Sequence, residues 1–216
     1  MSIPFFRLIY MIRLFLFLFI CIINVNAQHI SRYKGESAES FILRIKPSSS
    51  IVYDKVVETS WNNTSVIIAF FSETYLLPLL DDPQQREYKR IIATLFVSDA
   101  YKKNYAVSII DTLIEEESLP TIEQLFFANA DNDKEKELII LTTWDINNTS
   151  VHGKLYSTSI YDYAKLLPKK LLFLNDISSN VNGGCDCTWE IGRIHRSKFK
   201  NKADIINGLQ SLGYTQ

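Results

Sequence analysis

The sequence predicts an α+β fold, mainly antiparallel β-sheet, with short helices near the N- and C-termini. Three observations carry that expectation. Runs rich in Val, Ile, Phe and Tyr recur along the middle of the chain, separated by Asn pairs and polar turns. Apolar residues take helical spacing only near the two ends. No long helical crossover intervenes between successive strand-like runs, so neighbouring strands should pair antiparallel.

The first expected helix places Ala38, Phe41, Ile42 and Ile45 on one face, with Ser37 positioned to cap it and Pro47 to stop it. Strand-like runs follow at Ile51 to Trp61 and Val66 to Tyr75, joined through Asn62-Asn63. Asn tolerates the left-handed backbone that tight hairpins require, so this segment predicts a hairpin. Asp81 to Gln85 reads as a polar loop. Tyr88 to Val97 and Tyr105 to Leu113 read as a second strand pair around Lys102-Lys103-Asn104. Glu115 to Pro120 reads as a solvated acidic connection. Ile122 to Ala128 and Leu138 to Trp144 form a third pair around a charged tip, and Leu155 to Tyr163 continues the sheet. The last expected helix is capped by Asn201, with Asp204 in its first turn; Ile205, Leu209 and Leu212 share a face, and Gly213 ends it. Both helices are expected to cover one sheet face.

The stretch Asn62 to Val66 is repeated residue for residue at Asn147 to Val151. Duplication of a hairpin unit and independent selection of good turn residues both account for it, the second more simply because the flanks diverge. Each copy contains a glycosylation sequon, which matters only in a eukaryotic secretory pathway.

Residues 1–27 have the pattern of a secretory signal peptide. Arg7 and Arg13 precede an unbroken apolar run from Leu14 to Ile23, and Val25-Asn26-Ala27 closes it. That run is shorter than the roughly 20 apolar residues a membrane-spanning helix needs. Cleavage after Ala27 leaves a single α+β domain over residues 28–216, secreted or periplasmic, without a transmembrane segment. Cys185 and Cys187 would then lie in a compartment that permits oxidation.

Composition narrows the function classes. The chain is 47% hydrophobic, and 23 Lys+Arg stand against 24 Asp+Glu, which suits a globular protein and gives no basic face for nucleic acid. The basic stretch from Arg193 to Lys202 carries Phe199 as its one aromatic, so a nucleic-acid platform is not expected. There is no Gly-x-Ser-x-Gly elbow, no phosphate-binding Gly-rich loop with Lys and no His-Glu-x-x-His. Only 29 residues follow Cys187, too few for a papain-like downstream His. His29, His152 and His195 read as surface residues.

Two segments carry chemistry. In Ala128-Asn129-Ala130-Asp131-Asn132-Asp133-Lys134-Glu135-Lys136-Glu137, oxygen-bearing side chains alternate between two hydrophobic strands. Such a loop can turn several oxygens toward a hard cation, and calcium takes six to eight of them. The segment resembles the calcium loop of FG-GAP and VCBS repeats found in many secreted bacterial proteins. The resemblance implies that Asn129, Asp131 and Asp133 supply side-chain oxygens, Glu135 its backbone carbonyl and Glu137 a terminal carboxylate. Asn132 and Lys134 stand where those loops usually carry Gly, and Asn129 where they carry Asp. An EF-hand is excluded, because Ile140 stands where its bidentate Glu belongs. The other reading is a charged hairpin whose carboxylates pair with lysines in water.

The second segment, Gly183-Gly184-Cys185-Asp186-Cys187-Thr188-Trp189, admits three readings. It could be a Gly-hinged turn, a small-ring disulfide with a redox role, or a soft-metal site completed by His195. The resulting expectation is an exported, non-catalytic protein that binds a protein or glycan partner and is stabilised by calcium. The competing class is a secreted hydrolase, or a thiol-redox protein using Cys185 and Cys187.

Overall fold

A computed structural model describes residues 30–77, 86–99, 104–131, 133–163 and 170–214. The expected signal peptide, His29, the loop Asp81 to Gln85, Lys102, Lys103 and Asn132 lie outside the described residues. The elements run β1 (Ile30–Ser31), α1 (Ala38–Ile45), β2 (Ile51–Trp61), β3 (Thr64–Leu77), β4 (Arg86–Asp99), β5 (Asn104–Ile114), β6 (Thr121–Ala128), β7 (Glu137–Asn147), β8 (Val151–Tyr161), α2 (Asn175–Asn180), β9 (Gly184–Trp189), β10 (Ile194–His195) and α3 (Lys202–Ser211). The fold is α+β and mainly β, with antiparallel ladders between all paired strands, as the pattern of runs and turns predicts.

The strands form two five-stranded sheets, ordered β1-β5-β4-β3-β2 and β10-β9-β8-β7-β6. Val66, Ile68 and Phe70 of β3 join Leu138 and Ile140 of β7 in one apolar cluster, so the sheets pack face to face. The alternate residues point outward. Ile67, Ala69 and Phe71 meet Phe41 and Ile42 of α1, while Ile139 and Leu141 meet Ile205 and Leu209 of α3. Each sheet is therefore covered on both faces. That is why Val66 to Ser72 and Glu137 to Trp144 are buried without interruption instead of on every second residue.

The expectation of both helices on one sheet face is thus corrected: each covers the outer face of a different sheet. The helix ends follow their residues. The Ser37 side chain accepts from Ser40 N–H and the Asn201 side chain from Asp204 N–H. Leu212 departs from the expected face, being 44% exposed as the cap residue just past the last turn of α3. Gly183 to Trp189 is not a turn: from Gly184 onward it is strand β9, paired on both sides.

The two copies of Asn-Asn-Thr-Ser-Val make different turns. Asn62 and Asn63 both take positive φ, 46° and 64°, in a two-residue hairpin loop between Trp61 and Thr64. In the second copy Asn147 pairs with His152, and Asn148 Oδ1 accepts from Ser150 and Val151 N–H. Glu117 accepts from the Asn147 N–H and the Asn148 side-chain amide, so part of the acidic connection is engaged in holding this turn. Identical residues close differently because their surroundings differ.

Candidate metal centre

The acidic loop bridges β6 and β7, and the register of the hairpin decides which carboxylates meet. Glu137 is the first residue of β7 and lies across from Ala128 of β6. On its other side β7 pairs with β8 down to Leu138 opposite Tyr161, which sets Asp162 beside Glu137. Asp131, Glu137 and Asp162 consequently form one group, each offering a carboxylate oxygen within 4.8 Å of the others.

Glu137 is the buried member, with no solvent exposure. Its Oε2 accepts from the Ala130 N–H, whereas Oε1 is buried and has no hydrogen-bond partner. A buried carboxylate in this position is costly to ionise. Burial is the main cause of its pKa rising from 4.5 to about 7, and the Asp131 and Asp133 charges add to it against the Ala130 hydrogen bond. Asp162 is likewise pushed up, first by burial and then by Asp131 and Asp133. A cation among these groups would reverse both effects.

Asp131 and Asp133 each also give one oxygen to the loop's own backbone. Asp131 Oδ1 accepts from Asp133 N–H and Asp133 Oδ1 from Glu135 N–H, both at 2.8 Å. The Asn129 amide donates to the Asp133 carbonyl at 3.2 Å. Of the carboxylates expected as side-chain ligands, Asp131 and Glu137 are brought together, whereas Asp133 is exposed and outside the group. Asp162 was missing from the expected set. The signal that finds it is register: counting outward from the Asn147–His152 pair places residue 162 opposite residue 137.

The loop is also fastened to the other sheet. Lys136 N–H donates to Asn62 Oδ1 at 2.9 Å, and the Lys136 carbonyl accepts from the Asn62 amide and from Trp61 Nε1. The left-handed turn of β2–β3 thereby seats the end of the acidic loop.

Cys185 and Cys187 form a disulfide, with Cα atoms 5.3 Å apart. His195 lies across from Cys187 in the β9–β10 pair, and its Nδ1 is hydrogen-bonded to the Cys185 carbonyl. Since a carbonyl only accepts, Nδ1 carries the proton. A soft-metal site on these thiols does not fit their bridged state.

A cavity of about 510 Å³ lies between the outer strands β2 and β6, with Asp54, Lys55, Glu123 and Lys202 on its walls. Its described lining holds no His, Cys or Ser, and Glu123 is already bonded by Thr143 and Lys154. No described helix is long and apolar enough to cross a membrane. No family model, curated protein or solved structure matches the chain.

Proposed function

We propose that the chain is an exported, non-catalytic interaction protein for a protein or glycan partner, stiffened by calcium held at Asp131, Glu137 and Asp162. The observation that carries the calcium reading is Glu137 Oε1, fully buried, unpartnered and grouped with two further carboxylates. Buried polar groups are almost always satisfied, and an unsatisfied one needs a cause. A hard divalent cation supplies it, because all three donors are oxygens and calcium accepts carboxylates in flexible geometry. The likeness of the loop to FG-GAP and VCBS calcium loops supports the same ion. Export is supported by the charge and hydropathy pattern of residues 1–27.

Thermal melting tests the reading. A ligand that binds only the folded state stabilises it by about 2.7 kcal/mol at a hundred times its Kd. Added calcium should therefore raise the melting temperature above that in chelator by several degrees. Asp131→Ala with Asp162→Ala should abolish the response, and an unchanged melting temperature in the parent protein would remove calcium from the account.

A further inference from the structure

The acidic loop leaves two features of the chain without a role: the Cys-Asp-Cys segment and the basic stretch that follows it. The fold brings them together. The Asp186 side chain accepts from Arg196 Nη1 at 3.0 Å and from Lys200 Nζ at 2.8 Å, so the one carboxylate between the two cysteines is neutralised. Lys198 and Arg193 add further positive charge nearby in sequence. His195 faces Cys187, and with Nδ1 donating to the Cys185 carbonyl its Nε2 is left for proton transfer. Cys187 is fully buried, while Cys185 is half-buried, so attack by an external thiolate is expected at Cys185.

We propose that Cys185 and Cys187 form a thiol–disulfide exchange site that oxidises dithiol clients in the exported compartment, with His195 as the proton donor to the leaving sulfur. This goes beyond the calcium-stabilised interaction reading: it replaces the non-catalytic part of that reading with a thiol-oxidising activity and shares with it only the export assignment. A stabilising role explains the bridge poorly. It spans one residue, so it removes little entropy from the unfolded chain. Its reduction should therefore cost the fold little stability, so exchange is expected to take place in the folded state.

A client thiolate attacks Cys185 Sγ; the Cys185–Cys187 bond breaks as the client–Cys185 bond forms. Protonated His195 passes its Nε2 proton to the departing Cys187 thiolate. The client's second thiolate then attacks the client sulfur of the mixed disulfide and releases Cys185 as a thiolate. The client is oxidised by two electrons to its disulfide, and the protein is reduced to the dithiol. A low-molecular-weight disulfide restores the bridge by the reverse exchange.

The test uses the oxidised, folded protein in mixtures of reduced and oxidised glutathione, with free thiols alkylated and counted by mass. Reversible reduction at unchanged fold is the expected result. In Cys187→Ser, glutathione should be trapped on Cys185 roughly ten-fold faster than on Cys187 in Cys185→Ser. His195→Asn keeps a donor for the Cys185 carbonyl and removes Nε2. It should slow oxidation of a reduced two-cysteine peptide by roughly ten-fold or more, with free imidazole restoring part of the rate and the melting temperature unaltered. A bridge that resists glutathione until guanidinium unfolds the chain overturns the proposal. So do equal trapping on both sulfurs or a wild-type rate in His195→Asn. None of these readouts depends on calcium, so failure here and failure of the metal reading remain distinct.

Discussion

At the scale of single residues, Glu137 carries the strongest contradiction in the molecule. A buried carboxylate sits at the start of a hydrophobic strand, held at one oxygen by Ala130 N–H and surrounded by further negative charge. Glu137→Gln separates the two demands on this position. The amide oxygen can keep the Ala130 bond while its NH₂ donates toward Asp131 and Asp162. In chelator the variant should melt roughly 2–6 °C above the parent at pH 8, because it buries no charge. It should also fail to respond to calcium, which differential scanning calorimetry with and without the ion will show. Gly153 is fixed by space as well as by backbone. Its φ is +154°, and a Cβ there would lie 2.3 Å from the Asp186 carbonyl oxygen and 2.9 Å from Cys187 Sγ. Gly153→Ala should therefore cost roughly 1–3 kcal/mol in urea unfolding. Glu36 works in the opposite direction to Glu137. The Arg44 guanidinium, at 2.7 and 2.8 Å, holds its carboxyl down at about 2. A folded pKa below the unfolded value contributes stability above pH 4.5 that is lost as pH falls toward 2. Glu36→Gln should accordingly flatten the acid limb of the melting profile below pH 4.5 and leave the neutral region little changed.

At the scale of elements, the β2–β3 turn and the β6–β7 loop act as a pair. Asn62 is held in a left-handed conformation by its turn and meets both the N–H and the carbonyl of Lys136. Replacing Asn62 by Ala removes both contacts and adds strain at positive φ, which should cost about 1–2 kcal/mol. If calcium orders the loop, amide exchange at Asn62, Asn63 and Thr64 should slow on adding the ion, a coupling that hydrogen-exchange mass spectrometry will read. The repeated Asn-Asn-Thr-Ser-Val segments show how far an element depends on its neighbours. Lys136 seats the first and Glu117 the second, and the two turns differ. The first helix is simpler: Ser37 caps it at 3.1 Å from Ser40 N, a contact read directly from the residue types.

At the scale of the whole molecule, two sheets share one core, and each carries a helix on its outer face. The cores on the outer faces should matter as much as the one between the sheets. Phe41, fully buried against Ile67, Phe96 and Tyr105, should cost about 3–5 kcal/mol when truncated to Ala in chemical denaturation. Contacts at the sheet margins join the halves: Tyr161 Oη donates to Asp111 at 2.6 Å and Trp144 Nε1 to the Ile114 carbonyl at 3.2 Å. The acidic loop adds a third join through Trp61 and Asn62, so a metal bound at the proposed site would also brace the other sheet.

Much of the local structure was legible in the residues themselves. Strands, hairpin turns and helix caps depend on side-chain shape, turn chemistry and periodicity, all of which act between near neighbours in the chain. The sequence alone therefore determined the α+β class, the antiparallel pairing and the two capped helices, and it located the acidic loop. It could not determine that the strands divide into two sheets, because one apolar run serves equally well in either arrangement. Nor could it supply Asp162 or Asn62 to the acidic loop, and it offered His195 to the cysteines only as a third metal ligand. Residues 131 and 162 meet only through the register of a hairpin, Asn62 and Lys136 only through the packing of two sheets, and His195 and Cys187 only through the pairing of a two-residue strand. Contacts between residues distant in sequence arise when burial of apolar faces selects one packing of the elements, and that selection is a property of the tertiary structure.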